Sequence, residues 1–374
     1  MPLTPGVQNA AEQFISAALA NGNESEELLS HFFLSLSRRL DELPDDPIAS
    51  RRKLRLAAYL LAIFLRNFYR GSAAEFYWRP GSLQQTAFRL AETLGVHILP
   101  AHFYSPVPAV DQLAEDLWSR ASELPGIDMR ESQQLDLLGT LAQKFREEFA
   151  RFPEQPAPNT PAHRYYAANG AFAGVDAAFL YSLVRHYKPR RIYEVGSGFS
   201  TFLAAEAILK NKNDDPTYQC ELVAIEPYPN PALKMGFPGL SRLVPCRVQQ
   251  VPPQEFAKLC ENDILFIDSS HVLKLGSDVQ YEFLEILPRL NHGVLVHVHD
   301  IFLPFEYPRE WAVEMNRYWT EQYLLQAFLV HNSAFQVLLA SAYLNARHPD
   351  ALAACFPSPP SSRGFGSFWM RKMA

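Results

Sequence analysis

The chain has 374 residues and a formal net charge of −6, and 48% of its residues are hydrophobic. This length exceeds what one small hydrophobic core organises, so we expect more than one domain. The hydrophobic content is typical of a folded globular protein and excludes extensive disorder as the main state. Because sequence-independent nucleic-acid binders present basic surfaces, the negative charge argues against a nucleic-acid partner.

The cysteines and the amino terminus indicate the compartment. Four cysteines form no CxxC pair and no zinc-ligand spacing, which is typical of reduced packing residues. The first residues lack the charged start and apolar core of a signal peptide. No run reaches the roughly eighteen apolar residues of a membrane span. We expect a soluble, cytoplasmic protein with no transmembrane segment, and the sequence also allows a homo-oligomer.

The first hundred residues carry apolar side chains at three- and four-residue spacing, which is typical of helices. Their most apolar segment, residues 54–69, is expected to form the central helix of a small bundle. Proline-rich stretches then mark a change of organisation. We predict a helical domain at 1–100, a proline-rich connector with helices at 101–161, and a second domain at 162–374.

From residue 191 onward, apolar strand-like runs alternate with helical segments. This alternation predicts an α/β domain with a doubly wound, mostly parallel sheet. The expected strands are 192–196, 222–227, 247–251, 263–269 and 293–301, with closing strands at 335–340 and 367–371. Helices are expected over 132–152, 175–187 and 310–328. Ligands of such sheets bind beyond the carboxyl ends of the strands.

The first expected strand ends in the run Glu194-Val-Gly-Ser-Gly198, and Phe199-Ser-Thr201 follows at the start of an apolar helical pattern. Glycines allow the backbone to approach a ligand closely, and the start of a helix presents free N–H groups. Strand, glycine turn and helix start together predict a ligand-binding loop.

Acidic or histidine side chains stand at the ends of four expected strands. They are Glu194, Glu226, Asp268, and His299 with Asp300. Because the carboxyl ends of parallel strands share one edge of the sheet, these side chains should meet there. A single such residue is often only a surface charge or a helix cap. Four in corresponding places predict a functional site.

Four segments resemble class I S-adenosylmethionine-dependent methyltransferases. They are Glu-Val-Gly-Ser-Gly-Phe-Ser-Thr at 194–201, Phe-Ile-Asp-Ser-Ser-His at 266–271, Val-His-Asp-Ile-Phe at 298–302 and Ser-Phe-Trp-Met-Arg at 367–371. The resemblance extends from residue 165 to residue 372 and favours the methyltransferase domain 24 branch, with its macrocin O-methyltransferase-like proteins. It implies a Rossmann-like fold, S-adenosyl-L-methionine as cofactor and a small-molecule acceptor. Ser200 replaces the third glycine of the wider superfamily's motif.

The resemblance also implies how the cofactor is held. Backbone N–H groups of residues 196–200 would meet the methionyl carboxylate, and Glu194 would lie near the ammonium, directly or through a bridging network. Glu226 would accept both ribose hydroxyls. The implied cofactor-binding residues are Glu194, Gly196, Ser197, Gly198, Ser200, Thr201, Glu226 and Asp268. Tyr228 or Val251 would pack on the adenine, although a core role suits them equally.

Methyl transfer to an oxygen needs a group that removes the acceptor's proton. His271 and His299 are the two candidates for this base. Asp268, His299 and Asp300 also form a candidate site for a divalent metal, Mg²⁺ or Mn²⁺. The histidine moves the preference from Mg²⁺ toward Mn²⁺ or Fe²⁺. His297 lies deeper in the same strand, where we expect a core residue.

The acceptor is less defined by the sequence than the cofactor. The resemblance implies O-methylation of a small molecule or sugar. The aromatic loop at 302–308 directly follows Asp300 and should shape the acceptor pocket, while residues 165–172 should cover the cofactor or pack between domains.

Two other functions remain as alternatives. A nicotinamide-dinucleotide-dependent oxidoreductase would share the glycine turn and the acid on the second strand. However, the turn lacks the third glycine of a pyrophosphate site, and Glu226 follows Gly198 by 28 residues, where a dinucleotide site has about 20. A non-catalytic interaction protein that retains a methyltransferase fold is the second alternative.

Overall fold

The computed structural model describes Glu92, His97, residues 105–357 and residues 365–374. The chain divides into two units after Ala101, and the described residues other than Glu92 and His97 lie in the second, His102–Ala374. The predicted helical domain at 1–100 therefore falls almost wholly outside the described residues. The organisation into two domains and a connector stays a prediction.

A seven-stranded sheet forms the centre of the second unit. Its strands are β1 Arg191–Val195, β2 Glu221–Ile225, β3 Arg242–Val244, β4 Ile264–Ile267, β5 Leu295–Val298, β6 Phe335–Ala340 and β7 Phe368–Lys372. The strand order is β3-β2-β1-β4-β5-β7-β6. Strands β1 to β5 are parallel, and β7 runs antiparallel to both β5 and β6. This confirms the expected Rossmann-like, mostly parallel sheet.

The helices connect and cover these strands. They are α1 Glu131–Phe149, α2 Gly174–Tyr187, α3 Phe199–Asp214, α4 Pro231–Met235, α5 Pro253–Phe256, α6 Asp278–Tyr281, α7 Arg309–Val313, α8 Glu321–Leu329, α9 Ser341–Arg347 and α10 Pro349–Cys355. Helix α6 continues into a π-helical turn at Glu282–Ile286. In the described part of the chain, no helix combines the length and the apolar character needed to cross a membrane.

Both faces of the sheet are buried, which leaves its edge as the place for chemistry. Along β4, Ile264 and Phe266 join one hydrophobic cluster, while Leu265 and Ile267 join the cluster on the opposite face. Successive strand residues point to opposite faces, so a strand covered on both sides is apolar throughout. All four residues of β4 are buried accordingly.

One predicted strand is wrong. The sequence predicts a strand at 247–251, but the third strand is Arg242–Val244, and Val248–Gln250 forms a 3₁₀ turn. The apolar signal came from Val248 and Val251, which are buried in the core beside the sheet. The real edge strand is three residues long and only partly buried, so it carries no strong pattern.

One predicted helix, 310–328, is interrupted. Helix α7 ends at Val313 and α8 begins at Glu321. Between them Asn316 has a φ of 54°, in the left-handed region that asparagine tolerates better than most residues. The Arg317 N–H donates to the Trp311 carbonyl at 2.7 Å, which turns the chain back on itself. This break matters because it brings the start of α8 to the edge of the sheet.

Candidate cofactor and active site

Gly196 makes the turn at the end of β1. Its φ is +79°, and an added Cβ would lie 1.7 Å from the carbonyl oxygen of Asp268. Any side chain would collide with the end of β4, so only glycine fits. Gly198 differs, because an added Cβ there would meet no atom of the described chain within 4 Å. The turn therefore packs tightly against β4 on one side and is open at Gly198.

Two side-chain hydrogen bonds stabilise the start of α3. The Gly198 N–H donates to Oγ1 of Thr201 at 3.0 Å. The Ser200 hydroxyl donates to the Glu194 carboxylate. Both Ser200 and Thr201 are buried. These side-chain hydrogen bonds fix the conformation of the turn, which is open at Gly198.

Glu194 carries an unsatisfied carboxylate oxygen beneath this turn. The side chain is 2% exposed. One oxygen accepts the bond from Ser200, while Oε2 has no hydrogen-bond partner among the described residues. Burial raises the pKa of Glu194 to about 8, and the charges of Asp268 and Glu226 act in the same direction. A buried carboxylate oxygen without a partner suits a cationic ligand nearby.

Glu226, just beyond β2, is fixed against the same turn. The Ser197 N–H donates to its Oε2 at 3.2 Å, and the Tyr228 N–H donates to its Oε1 at 2.7 Å. The carboxylate remains half-buried, so part of it is free to bind a ligand. Tyr228 is 79% exposed, whereas Val251 packs in the core. Of the two residues suggested for the adenine, only Tyr228 offers an open surface.

Three carboxylates surround His271 beyond the ends of β4 and β5. Its Nε2 lies 3.2 Å from Oδ1 of Asp268 and 3.7 Å from Oδ2 of Asp300. Its Nδ1 lies 2.8 Å from Oε2 of Glu321. Burial lowers the pKa of this imidazole, but Asp268 and Glu321 outweigh burial and hold the pKa well above its ordinary value. The surrounding carboxylates therefore favour the form of His271 that carries both ring protons.

The pKa values of Asp268 and Asp300 are shifted in opposite directions. Burial raises the pKa of Asp268, but the charges of His299 and His271 outweigh it and the pKa is lowered. Burial dominates at Asp300, whose pKa stays above its ordinary value. Among the described residues, Asp268, His271 and Asp300 form a potential metal site, with ligand atoms within 4.8 Å of one another.

His299 adjoins this cluster without belonging to it. Its Nε2 lies 3.7 Å from Oδ1 of Asp300, and its ring packs against Phe172 at 5.1 Å. Burial lowers the pKa of His299, but Asp300, Asp268 and Asp176 together raise it above its ordinary value. The structure thus groups His271, where the sequence suggested His299, with the two aspartates.

His297 lies deeper, as expected from its place in β5. It is fully buried, and its Nε2 lies 2.7 Å from the Ser367 hydroxyl. Its ring stacks on Phe266 at 4.0 Å. Burial holds the pKa of His297 well below its ordinary value, so it is a neutral core residue.

Sequence reasoning missed Glu321 and Trp319. Glu321 is fully buried, and its carboxylate contacts His271 across 50 residues of chain. Trp319 packs over the His271 ring at 4.3 Å. Glu321 lies in the first turn of α8, where acids are favoured, but the prediction of one continuous helix over 310–328 placed it mid-helix and hid that signal.

The segment at 165–172 contacts the glycine turn through Tyr166 and His299 through Phe172. His299 adjoins the cluster of Asp268, His271 and Asp300 beyond β4 and β5, which is called the rim below. The Tyr165 hydroxyl donates to the Phe172 carbonyl at 3.0 Å, and the Asn169 side chain bonds both the N–H and the carbonyl of Phe172. Tyr166 meets Phe199, the first residue of α3, edge to face at 5.2 Å. These contacts are those of a segment that covers the turn.

Comparisons with known proteins identify the family of this chain. The model of a family described as "Methyltransferase domain", Methyltransf_24, matches residues 193–301, which run from β1 to just past Asp300. An uncharacterized protein of Archaeoglobus fulgidus is 35% identical over 175 residues, which cover 44% of this chain and 75% of that protein. The chain belongs to the class I S-adenosylmethionine-dependent methyltransferases, in the methyltransferase domain 24 branch.

Solved structures resemble this methyltransferase only in outline. CalS11, titled a TDP-rhamnose 3′-O-methyltransferase, is 14% identical over 65% of this chain and 95% of its own, with a TM-score of 0.34. CmcI in an Mg-SAM form is 15% identical over 61% and 84%, with a TM-score of 0.30. A Thermobifida fusca protein titled a putative methyltransferase is 13% identical over 73% and 100%, with a TM-score of 0.34.

Proposed function

We propose that this methyltransferase binds S-adenosyl-L-methionine at the turn between β1 and α3 and methylates an oxygen of a small molecule or sugar. One observation carries the proposal. A buried, unsatisfied Glu194 oxygen, the close-packed Gly196 turn and the half-buried Glu226 carboxylate lie side by side. A cofactor that carries an ammonium, a carboxylate and a ribose diol requires three such features.

Each group has a distinct task in this proposal. When bound, S-adenosylmethionine supplies a methyl group activated by the neighbouring sulfonium charge. Glu226 orients the ribose hydroxyls, and Glu194 faces the ammonium. The N–H groups of Ser197 and Gly198 already bond to Glu226 and Thr201. The methionyl carboxylate is therefore assigned to the N–H groups of the first turn of α3, which have no partner within the helix.

The donor set at the rim fits a divalent metal. Carboxylate oxygens of Asp268 and Asp300 converge with Nε2 of His271, and Glu321 holds the opposite ring nitrogen. A carboxylate behind a histidine is the usual support of a metal ligand. Two carboxylates suit Mg²⁺, and the imidazole adds a preference for Mn²⁺ or Fe²⁺. We assign the metal to these three ligands and keep His299 as the neighbouring alternative. A metal there would orient a hydroxyl of the acceptor.

Removal of the acceptor proton is assigned to His271 or His299. An imidazole that already carries both protons cannot accept another, and carboxylates hold the pKa of His271 well above its ordinary value. His271 can therefore act as base only at a pH that has removed its Nε2 proton, and it cannot do so while a metal occupies that nitrogen. The pKa of His299 is also raised, by Asp300, Asp268 and Asp176, so the same requirement applies to it.

The Glu226→Ala substitution tests the cofactor site. We expect the affinity for S-adenosylmethionine, measured by titration calorimetry, to fall at least about tenfold, because two ribose hydroxyls lose a charged acceptor. The matched control is Glu221→Ala, at the opposite end of the same strand, where the acid pairs with Arg191 at 3.6 Å. Unchanged affinity in Glu226→Ala would show that the ribose assignment is wrong.

The pH dependence of cofactor binding tests the role of Glu194. In the free protein its pKa is about 8, so at neutral pH most Glu194 carboxyls must lose a proton before they can pair with an ammonium. A nearby cation lowers that pKa, so affinity should rise with pH, by up to about tenfold per pH unit. The useful window is about pH 5.5 to 7.5, because the ligand's own amino group titrates near 8.

Calorimetry in that window, in buffers of different ionisation enthalpy, should also detect a proton released on binding. Glu194→Gln removes the titrating group and keeps the shape of the side chain, so its affinity should not change with pH. A flat wild-type profile, or a slope that persists in Glu194→Gln, would contradict the assignment of the ammonium to Glu194.

A further inference from the structure

The segment between β5 and α8 contains a cluster of aromatic side chains, which begins shortly after Asp300. The rings of Trp311 and Trp319 lie 4.9 Å apart, and Phe302 meets Trp311 at 5.1 Å. Tyr307 adds a contact with Trp319 at 6.1 Å. Trp311 and Trp319 are only partly buried, so this cluster also presents an apolar surface to solvent.

This surface is joined to the rim. Trp319 covers the His271 ring, and the next residue, Thr320, donates its N–H to the His271 carbonyl at 2.9 Å. The Thr320 hydroxyl accepts the Leu273 N–H at 2.8 Å. A molecule that lies against Trp319 is therefore beside the group of Asp268, His271 and Asp300.

Arg317 places a positive charge on the same surface. Its guanidinium carbon lies 5.3 Å from the Trp311 ring and 5.4 Å from the Trp319 ring. The side chain is exposed, and no carboxylate within the described ranges lies within 4.0 Å of it. Arg309 of the same segment differs, because it pairs with Glu115 at 3.6 Å. The charge of Arg317 also opposes the rise in the pKa of Asp300, so it lies near the rim.

The exposed guanidinium of Arg317 is available to a ligand. It lies at cation–π distance from both indole rings and has no carboxylate partner among the described residues. Its N–H groups form the fork that matches a carboxylate or a phosphate. The two indole contacts also restrict the side chain, so less entropy is lost when an anion binds. An anion beside the acidic rim needs a cation of this kind.

We propose that Arg317, Trp311 and Trp319 form a subsite that binds an anionic group of the methyl acceptor. The acceptor is then a ring compound that packs on indole and carries a carboxylate or phosphate beside the hydroxyl to be methylated. This inference rests on the proposed function, because it takes the rim as the place of methyl transfer.

Three matched probes test this subsite: para-hydroxybenzoate, para-hydroxyphenyl phosphate and the neutral para-hydroxybenzamide. Each is titrated into the full chain, with and without S-adenosylhomocysteine, and followed by calorimetry and tryptophan fluorescence. Both anionic probes should bind at least about tenfold more tightly than the amide, as expected for charge-assisted bonds. The stronger of the two anions identifies a carboxylate or a phosphate as the preferred group.

Two variants and one control assign the effect to Arg317. Arg317→Gln should reduce the preference for anions to less than about twofold, while Arg317→Lys should retain part of it, because it keeps the charge and loses the fork. Arg309→Gln removes a neighbouring exposed arginine and should leave the preference unchanged.

The proposal is overturned if no probe binds, if the amide binds as well as the anions, or if the preference survives in Arg317→Gln. Affinity for S-adenosylhomocysteine, measured on the same protein, separates the two levels of inference. Cofactor binding without an anion preference defeats the subsite alone. Lack of cofactor binding defeats the proposed function, and the cofactor-free titrations still decide the subsite.

Discussion

Replacing Gly196 by alanine is expected to lower the affinity for S-adenosylmethionine at least about a hundredfold, because two independent constraints are violated. The new Cβ would lie 1.7 Å from the Asp268 carbonyl oxygen, and the residue has a φ of +79°. Relief of the collision must separate the turn from β4. That movement displaces the Ser197 N–H from Glu226 and opens the space over Glu194. Calorimetry with S-adenosylmethionine measures the loss.

A control keeps this result specific. Gly139→Ala makes the same chemical change within α1, where an added Cβ meets no described atom within 4 Å, and it should leave affinity unchanged. Circular dichroism and thermal melting of both variants separate a displaced turn from an unfolded protein. Wild-type affinity in a folded Gly196→Ala variant would contradict the placement of the cofactor at this turn.

Asp268→Asn is expected to weaken divalent metal binding at least about a hundredfold, because the rim would lose an ionised ligand whose charge is central to the site. Its carboxylate lies 3.2 Å from His271, and neighbouring histidines hold its pKa below the ordinary value. Mn²⁺ binding, followed by the paramagnetic resonance of the free ion, measures this directly and needs no known acceptor. Glu285→Gln, which removes an exposed acid paired with Arg289, is the control.

The same measurement separates the two histidines. His271→Ala should weaken Mn²⁺ binding nearly as much as Asp268→Asn, because Nε2 of His271 points between the two aspartates. His299→Ala should have a much smaller effect, since its ring packs on Phe172 beside the cluster. The reverse order would restore the ligand set predicted from the sequence. Absence of Mn²⁺ binding to the wild-type protein would contradict a metal at this rim.

The sheet could be predicted because burial on both faces leaves a clear trace in the sequence. In β4, four consecutive buried residues appear as an unbroken apolar run. The short strand β3 leaves no such trace, and the buried Val248 and Val251 of a neighbouring turn imitate it. The interruption before α8 depends on the left-handed conformation of Asn316 and on a backbone hydrogen bond from Arg317 to Trp311. The spacing of apolar residues in the sequence reveals neither feature.

The site could be predicted as far as strand ends determine it. Parallel strands bring the residues after β1, β2, β4 and β5 to one edge, which is why Glu226 and Asp268 could be placed from the sequence. The contact between His271 and Glu321 could not, because it joins distant segments through the conformation of two loops. His271 has a φ of 60°, so its ring direction does not follow from its position after β4. Adjacency to Asp300 favoured His299 instead.

The central claim is that the glycine turn of this chain binds S-adenosylmethionine and not a nicotinamide dinucleotide. Titration calorimetry of the wild-type protein, with each compound in turn, tests it most directly. Glu226 suits a ribose of either cofactor, whereas Glu194, once ionised, suits an ammonium and repels a pyrophosphate. We therefore expect one S-adenosylmethionine to bind per chain, with no heat from the dinucleotide. Binding of the dinucleotide, or of neither compound, would contradict the account.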